Sequence, residues 1–227
     1  MKDNLTAKGI TMRITLVYDN SAYLSDCIAD WGFACLIEGS GMPKILFDTG
    51  ANGKILLSNM QVLGIDPNSI DILVISHDHW DHTGGLSDML HENNTLTLYV
   101  PEHFPDVPLA DNIVRVSGAY ALADGIYTTG VLDGIEQSIV VTTGKTNVVI
   151  VGCSHPGADK ILQVSSQWGK PGALIGGLHG FSRFEVLDGL SLICACHCTQ
   201  HQSQIQQRFP KTAIPGGAGR IITIQSD

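Results

Sequence analysis

The stretch Ile72-Leu73-Val74-Ile75-Ser76-His77-Asp78-His79-Trp80-Asp81-His82-Thr83-Gly84-Gly85 sets three imidazoles and two carboxylates within six positions, directly after an apolar, strand-like run. Imidazole nitrogen and carboxylate oxygen suit zinc, iron(II) or manganese. A donor set without thiolate usually marks a catalytic site that keeps one coordination position open for water. The alternative is a polar turn rich in histidine by chance. The strand before the cluster and the Gly-Gly after it supply the context that a mechanism-bearing motif needs. One or two divalent ions are expected, zinc first, with iron or manganese as substitutes.

Working outward, 227 residues with 44% hydrophobic and 15% charged side chains can bury a sizeable core. No linker or low-complexity tract divides them, so one domain over 1–227 is expected. With 13 Lys+Arg against 22 Asp+Glu the formal charge is −9. That balance repels phosphate backbones, and no basic run offsets it, so nucleic acid is not an expected partner. No apolar run approaches the roughly 20 residues that cross a bilayer. Met1-Lys2-Asp3-Asn4 lacks the basic-then-apolar pattern of a secretory signal. A cytoplasmic protein acting on a small molecule is the expectation, and the oligomeric state is not legible. The six cysteines read as reduced. Cys194, Cys196 and Cys198 alternate, so they share one face of a strand, with core packing as their default role and redox chemistry or metal ligation by Cys198 as the alternative.

Strands are predicted over 11–19, 32–38, 44–48, 70–76, 95–100, 138–143, 147–151, 173–176, 190–196 and 220–224, and helices over 53–63, 86–91, 158–168, 182–188 and 199–208. Gly39-Ser40-Gly41 reads as the turn of a hairpin. Four apolar runs lead into a histidine: His77, His155, His179 and His197. A fifth ends in Asp48-Thr49-Gly50. Side chains at the ends of neighbouring strands can converge on one point above a rigid sheet. His91, His103 and His201 lack this placement and read as surface or helix residues, with His201 close enough in sequence to His197 to face the site. The proline-rich segment from Pro101 to Pro108 reads as a stiff loop, either an ordinary connection or a lid. Gly216-Gly217-Ala218-Gly219 reads as tight turns before the last strand.

His-x-His-x-Asp-His followed by Thr-Gly-Gly, with Phe47-Asp48-Thr49-Gly50 upstream and single histidines downstream, resembles the metallo-β-lactamase-fold hydrolase superfamily over nearly the whole chain. Leu63-Gly64-Ile65-Asp66, Gly152-Cys153-Ser154-His155-Pro156-Gly157, Gly176-Gly177-Leu178-His179 and His197-Cys198-Thr199 are most similar to its dihydropteroate-synthase-like branch, which is related to methanopterin biosynthesis. The resemblance implies an α/β fold, a four-layer αββα sandwich with a metal site at one edge. It implies His77, His79 and His155 as ligands of a first metal, Asp81, His82 and His197 as ligands of a second, and Asp48 as a carboxylate bracing them. Where most dinuclear members place a bridging aspartate, this chain offers His179, and a neutral imidazole has one free lone pair and cannot bridge.

The chemistry that follows is attack by a metal-bound hydroxide on an ester, thioester, lactone or phosphoester of a small substrate. Asp81 would accept a proton as well as bind metal, and His179 would donate to the oxyanion or the leaving group. Asn20, Ser154 and Thr199 are candidate substrate contacts, with backbone capping as their other reading. A metal-dependent transferase acting on a dihydropterin is the alternative function. A sensor holding iron, with the Cys194/Cys196/Cys198 row reporting oxidation, is a third.

Overall fold

Successive side chains of a strand face opposite ways, and in this protein both faces find something to cover them. The computed structural model describes residues 11–144 and 146–225. In chain order its elements are β1 (Thr11–Tyr18), β2 (Ala34–Gly39), β3 (Ile45–Phe47), α1 (Gly53–Val62), β4 (Ile72–Val74), α2 (Trp80–Thr83), α3 (Leu86–Glu92), β5 (Thr97–Pro101), β6 (Asn112–Val116), β7 (Tyr120–Ala123), β8 (Ile126–Thr128), β9 (Ile139–Thr142), β10 (Thr146–Val151), α4 (Ala158–Ser165), β11 (Lys170–Gly177), β12 (Leu192–Cys196), α5 (Gln202–Arg208) and β13 (Ile221–Gln225). Among the described residues one sheet runs β13-β1-β2-β3-β4-β5-β6 and the other β12-β11-β10-β9-β8-β7.

Ile14, Cys35, Ile37, Ile45, Phe47 and Val74 of the first sheet pack against Ile139, Val148, Ile150, Ile175 and Cys194 of the second, forming the middle of the molecule. The intervening residues turn outward. Leu36, Leu46, Leu73 and Ile75 meet Leu56 and Met60 of α1 and Met89 and Leu90 of α3, while Val149, Val151 and Leu174 meet Ile161 of α4 and Ile205 of α5. The result is the αββα sandwich. Each large side chain buried in it contributes about 1.5–3 kcal/mol relative to exposure, which is why strands covered on both faces read as unbroken apolar runs rather than alternating ones.

The hairpin of β2 and β3 is antiparallel as its glycine turn suggests. β3 and β4 are parallel, as are β10, β11 and β12, so their carboxyl ends point the same way within each sheet. The Thr-Gly-Gly after the histidine cluster has a steric cause. A Cβ on Gly84 would lie 2.1 Å from Ala51 O, and one on Gly85 2.4 Å from Thr49 O, so only glycine lets the chain cross the Asp48-Thr49-Gly50 turn this closely.

Three strands go beyond the sequence reading. β6 exposes three of its five residues, β7 exposes two of its four, and β8 has only three, so none reads as a long buried run. The helix expected over 182–188 is a short 3-10 turn at Phe184–Leu187, and that expected over 199–208 begins only at Gln202. The last turn expected in 158–168 is also 3-10. In the proline-rich loop, Phe104 is buried against the outer core and the Arg115 guanidinium donates to the carbonyls of Glu102 and Phe104. The glycine segment near the end packs on Tyr23 and Leu24. No helix among the described residues is long and apolar enough to cross a membrane. The N-terminal stretch read for a secretory pattern lies outside the described residues.

Candidate metal centre

The carboxyl ends of β3, β4, β10, β11 and β12 meet at one rim, and the chain leaves several of them through a left-handed turn. Asp48 (φ 60), Ser154 (φ 58), His179 (φ 45) and His197 (φ 49) all adopt it without being glycine. Such a conformation costs about 1–3 kcal/mol and concentrates at functional sites. Here it folds each strand end back so that side chains from both sheets face one another.

Two clusters form. In the first, the donor atoms of His77, His79 and His155 lie within 4.8 Å of one another; in the second, those of Asp81, His82 and His197 do. The two are contiguous, with His77 and His82 ring centroids 4.2 Å apart. His77 Nε2 stands 3.0 Å from His79 Nδ1, and Asp81 Oδ2 stands 3.4 Å from His197 Nε2 and 3.9 Å from His82 Nε2. All six residues expected as ligands are thus brought together.

Buried partners fix which ring nitrogen faces the clusters. Asp48 Oδ1 accepts the Ser76 N–H and Oδ2 accepts the Ser76 hydroxyl, both at 2.7 Å, so Ser76 Oγ is left to accept from His77 Nδ1 at 2.8 Å. His82 Nδ1 donates to Asp48 Oδ2 at 2.7 Å. Asn20 gives its amide N–H to the His197 carbonyl, so its oxygen accepts from His197 Nδ1 at 3.0 Å. In His77, His82 and His197 the Nε2 lone pair is therefore the one turned to the cluster, a tautomer assigned from the hydrogen-bond network. Two carboxylates complete the scaffold. Asp19 accepts the His197 N–H at 2.8 Å. Glu136, fully buried, accepts the backbone N–H groups of Gly152, Cys153 and Ser154 on Oε1 and of His155 on Oε2. The Trp31 indole N–H donates to Asp81 Oδ2 at 2.9 Å.

Burial, then the neighbouring imidazoles, hold His77 well below the usual histidine range, and the same causes push His155 down to about 4. Burial opposes the charge on Asp81, yet the adjacent His197 and His82 imidazoles keep its carboxyl well below normal. His82 goes the other way, because Asp48 outweighs its burial and raises it. Neutral imidazoles beside an ionised carboxylate are the state that binds a metal. A pH effect on the metal-free protein follows. Where His77 and His155 stay neutral in the fold but charge in the unfolded chain, the unfolded state binds more protons, so stability falls as pH drops from about 6.5 toward 4, with His82 partly offsetting it. Thermal unfolding of chelator-treated protein at a series of pH values measures this, and a midpoint that rises on acidification contradicts it.

His179 stands apart from both clusters. It is exposed on the rim, 5.2 Å from His155 between ring centroids, and its donor atom groups with the sulfurs of Cys153 and Cys198. Asn20, Ser154 and Thr199 have their polar groups engaged by the protein itself, the arrangement their backbone-capping reading describes. The Ser154 hydroxyl donates to Gly177 O, the Thr199 hydroxyl donates to Cys196 O and accepts the Leu178 N–H, and Asn20 holds His197 and the Gly32 N–H. The cysteine row divides. Cys194 and Cys196 lie in the core between the sheets, whereas the turn at His197 carries Cys198 over Cys153. The hydrogen bond with Cys153, with help from His197 and His179, pushes the Cys198 thiol down to about 5, and Cys153 goes up in exchange, so the pair shares a proton. His201 turns from the rim onto the Phe184 ring. Sequence reasoning missed Glu136, Asp19 and Trp31, of which Glu136 and Asp19, charges flanking apolar runs, leave some signal.

A divalent cation fits this donor set. His155 Nε2 and His197 Nε2 are buried with no hydrogen-bond partner. Buried acceptors in such positions are unfavourable unless something positive lies between them.

The family profile described as the metallo-beta-lactamase superfamily matches residues 32–186. A relative from Methanocaldococcus jannaschii, 7,8-dihydropterin-6-methyl-4-(beta-D-ribofuranosyl)-aminobenzene-5'-phosphate synthase, is 30% identical over 92% of this chain and 95% of its own length. Among solved structures, a metal-dependent hydrolase of the beta-lactamase superfamily superposes with a TM-score of 0.78 at 23% identity, covering 94% of this chain and 99% of that one. The metallo-beta-lactamase fold protein YhfI from Bacillus subtilis gives a TM-score of 0.70 at 13% identity, covering 94% and 100%.

Proposed function

The chain belongs to the metallo-beta-lactamase superfamily, and on that premise we propose that it is a metal-dependent hydrolase of a small ester, thioester, lactone or phosphoester. The observation that carries this reading is the pair of contiguous nitrogen and oxygen clusters in which His155 Nε2 and His197 Nε2 are buried without partners. His77, His79 and His155 would hold one cation and Asp81, His82 and His197 another, zinc being the best match and iron or manganese the next. Metal bound there supplies a Lewis acid for the substrate oxygen and lowers the pKa of water to about 7.

The protein's own groups supply the rest. Asp48 and Asn20 keep three imidazoles in the tautomer that presents Nε2, so no reorganisation is needed on binding. Asp81, held ionised by His82 and His197, accepts the proton of the attacking water. His179, exposed beside His155, donates to the leaving group.

A second reading, transfer to or from a dihydropterin, is favoured by the relative that is 30% identical over nearly the full length of both chains and is named a dihydropterin-derivative synthase. Trp31 and Trp80, respectively 51% and 65% exposed, offer faces on which a flat heterocycle can stack. One experiment separates the readings. Chelated protein is reloaded with zinc and assayed on phosphodiester, thioester and lactone substrates, and in parallel titrated with a dihydropterin by fluorescence. Turnover restored by zinc without pterin quenching supports hydrolysis, saturable quenching without turnover supports transfer, and full turnover by metal-free protein ends both.

A further inference from the structure

Between two cations held about 3.5–4 Å apart a shared anion offsets their repulsion, and neither cluster described above offers a protein anion in that role. His179, which the family resemblance sets where a bridging aspartate is expected, lies on the rim, outside both donor sets. Cys153 lies inside. Its Sγ is 3.2 Å from His82 Nε2, and the donor atoms of Cys153, His77 and His82 lie within 4.8 Å of one another, so one sulfur reaches a ligand from each cluster. The position is built with care. Glu136 pins the backbone N–H groups on either side of Cys153, and Gly152 lets that strand end approach Ser76 and Asp48, since a Cβ there would meet Ser76 Oγ at 2.4 Å. Gly177 does the same for Cys198, where a Cβ would come within 2.7 Å of Cys198 Sγ.

We propose that Cys153 is a thiolate ligand of the metal centre, shared between the His77 and His82 sides, and that it supplies the anion a carboxylate would otherwise bring. The inference rests on the reading that these clusters hold metal. A thiolate has the lone pairs to touch two cations, which a neutral imidazole at His179 lacks. On ligation the proton that the pair shares passes from the Cys153 sulfur to that of Cys198, which then donates it as a hydrogen bond to the bound thiolate. A nearby cation removes the obstacle to burying that anion, because a coordinating thiol is deprotonated outright. The soft donor also shifts the preference of the centre toward zinc or iron over manganese.

Cobalt(II) substitution of the full chain tests this by colour. A sulfur-to-cobalt charge-transfer band in the near ultraviolet is expected, lost in Cys153→Ser and retained in Cys198→Ser. Zinc-edge X-ray absorption of the unsubstituted protein, which needs no variant to fold, is expected to require a sulfur neighbour at about 2.3 Å. A zinc shell of nitrogen and oxygen alone, or a band that survives Cys153→Ser, overturns the proposal and leaves the metal reading standing. Protein that takes up neither cobalt nor zinc overturns both.

Discussion

Glu136→Ala lowers the unfolding free energy of the metal-free protein by about 4 kcal/mol or more, the cost of leaving four buried donors without an acceptor at about 1–3 kcal/mol each. The carboxylate takes N–H groups from four consecutive residues, Gly152 to His155, at 2.8–3.1 Å, in a place with no exposure to water. Burial raises its pKa, and the N–H groups of His155, Ser154 and Cys153, with the nearby His82, resist that rise. Glu136→Gln keeps one oxygen for the three donors on Oε1 and gives up the acceptor for His155, so it loses roughly the value of a single bond to a charged group, about 1.5–3 kcal/mol. Urea unfolding under chelation compares the two. Should the alanine variant lose no more than the glutamine variant, the carboxylate is not what holds this loop.

Asp48→Asn is expected to weaken metal binding by about 10–100-fold while the protein stays folded, the usual consequence of altering a group that orients a ligand. Asparagine retains an oxygen for the Ser76 N–H, but its amide nitrogen, a donor only, can accept from neither His82 Nδ1 nor the Ser76 hydroxyl. The two imidazoles then lose the partner that keeps their Nε2 lone pairs facing inward. Competition against a chromophoric chelator measures the affinity, and circular dichroism checks the fold. An unchanged affinity would show that His77 and His82 keep their tautomers without Asp48.

The same chemistry explains what the sequence discloses. Ile72–Val74 and Ile45–Phe47 are legible as strands because both faces are buried, and the histidines after the strands are legible because polar residues seldom follow such runs without reason. β6 and β7 are not, since half or more of each is exposed and both are too short to stand out as buried runs. At the rim, the ligand candidates stand out by residue type. Their supports do not, because Glu136 and Asp19 matter through backbone N–H groups brought to them by folding. Cys153 sat within a recognisable motif, yet its relation to His82, 71 residues earlier, exists only in three dimensions. Asn20, Ser154 and Thr199 show the converse: their positions near the rim were legible, and their hydrogen-bond partners were not.

The rim joins strand ends from two sheets, and that divides possession of the donors. His77, His79, Asp81 and His82 belong to the first half of the chain, while His155 and His197 belong to the second. Neither half owns a complete set. Each cluster draws on both halves, so an ion held in either would act as a clasp across the seam, and drawing the two layers apart would surrender it before either layer had to melt.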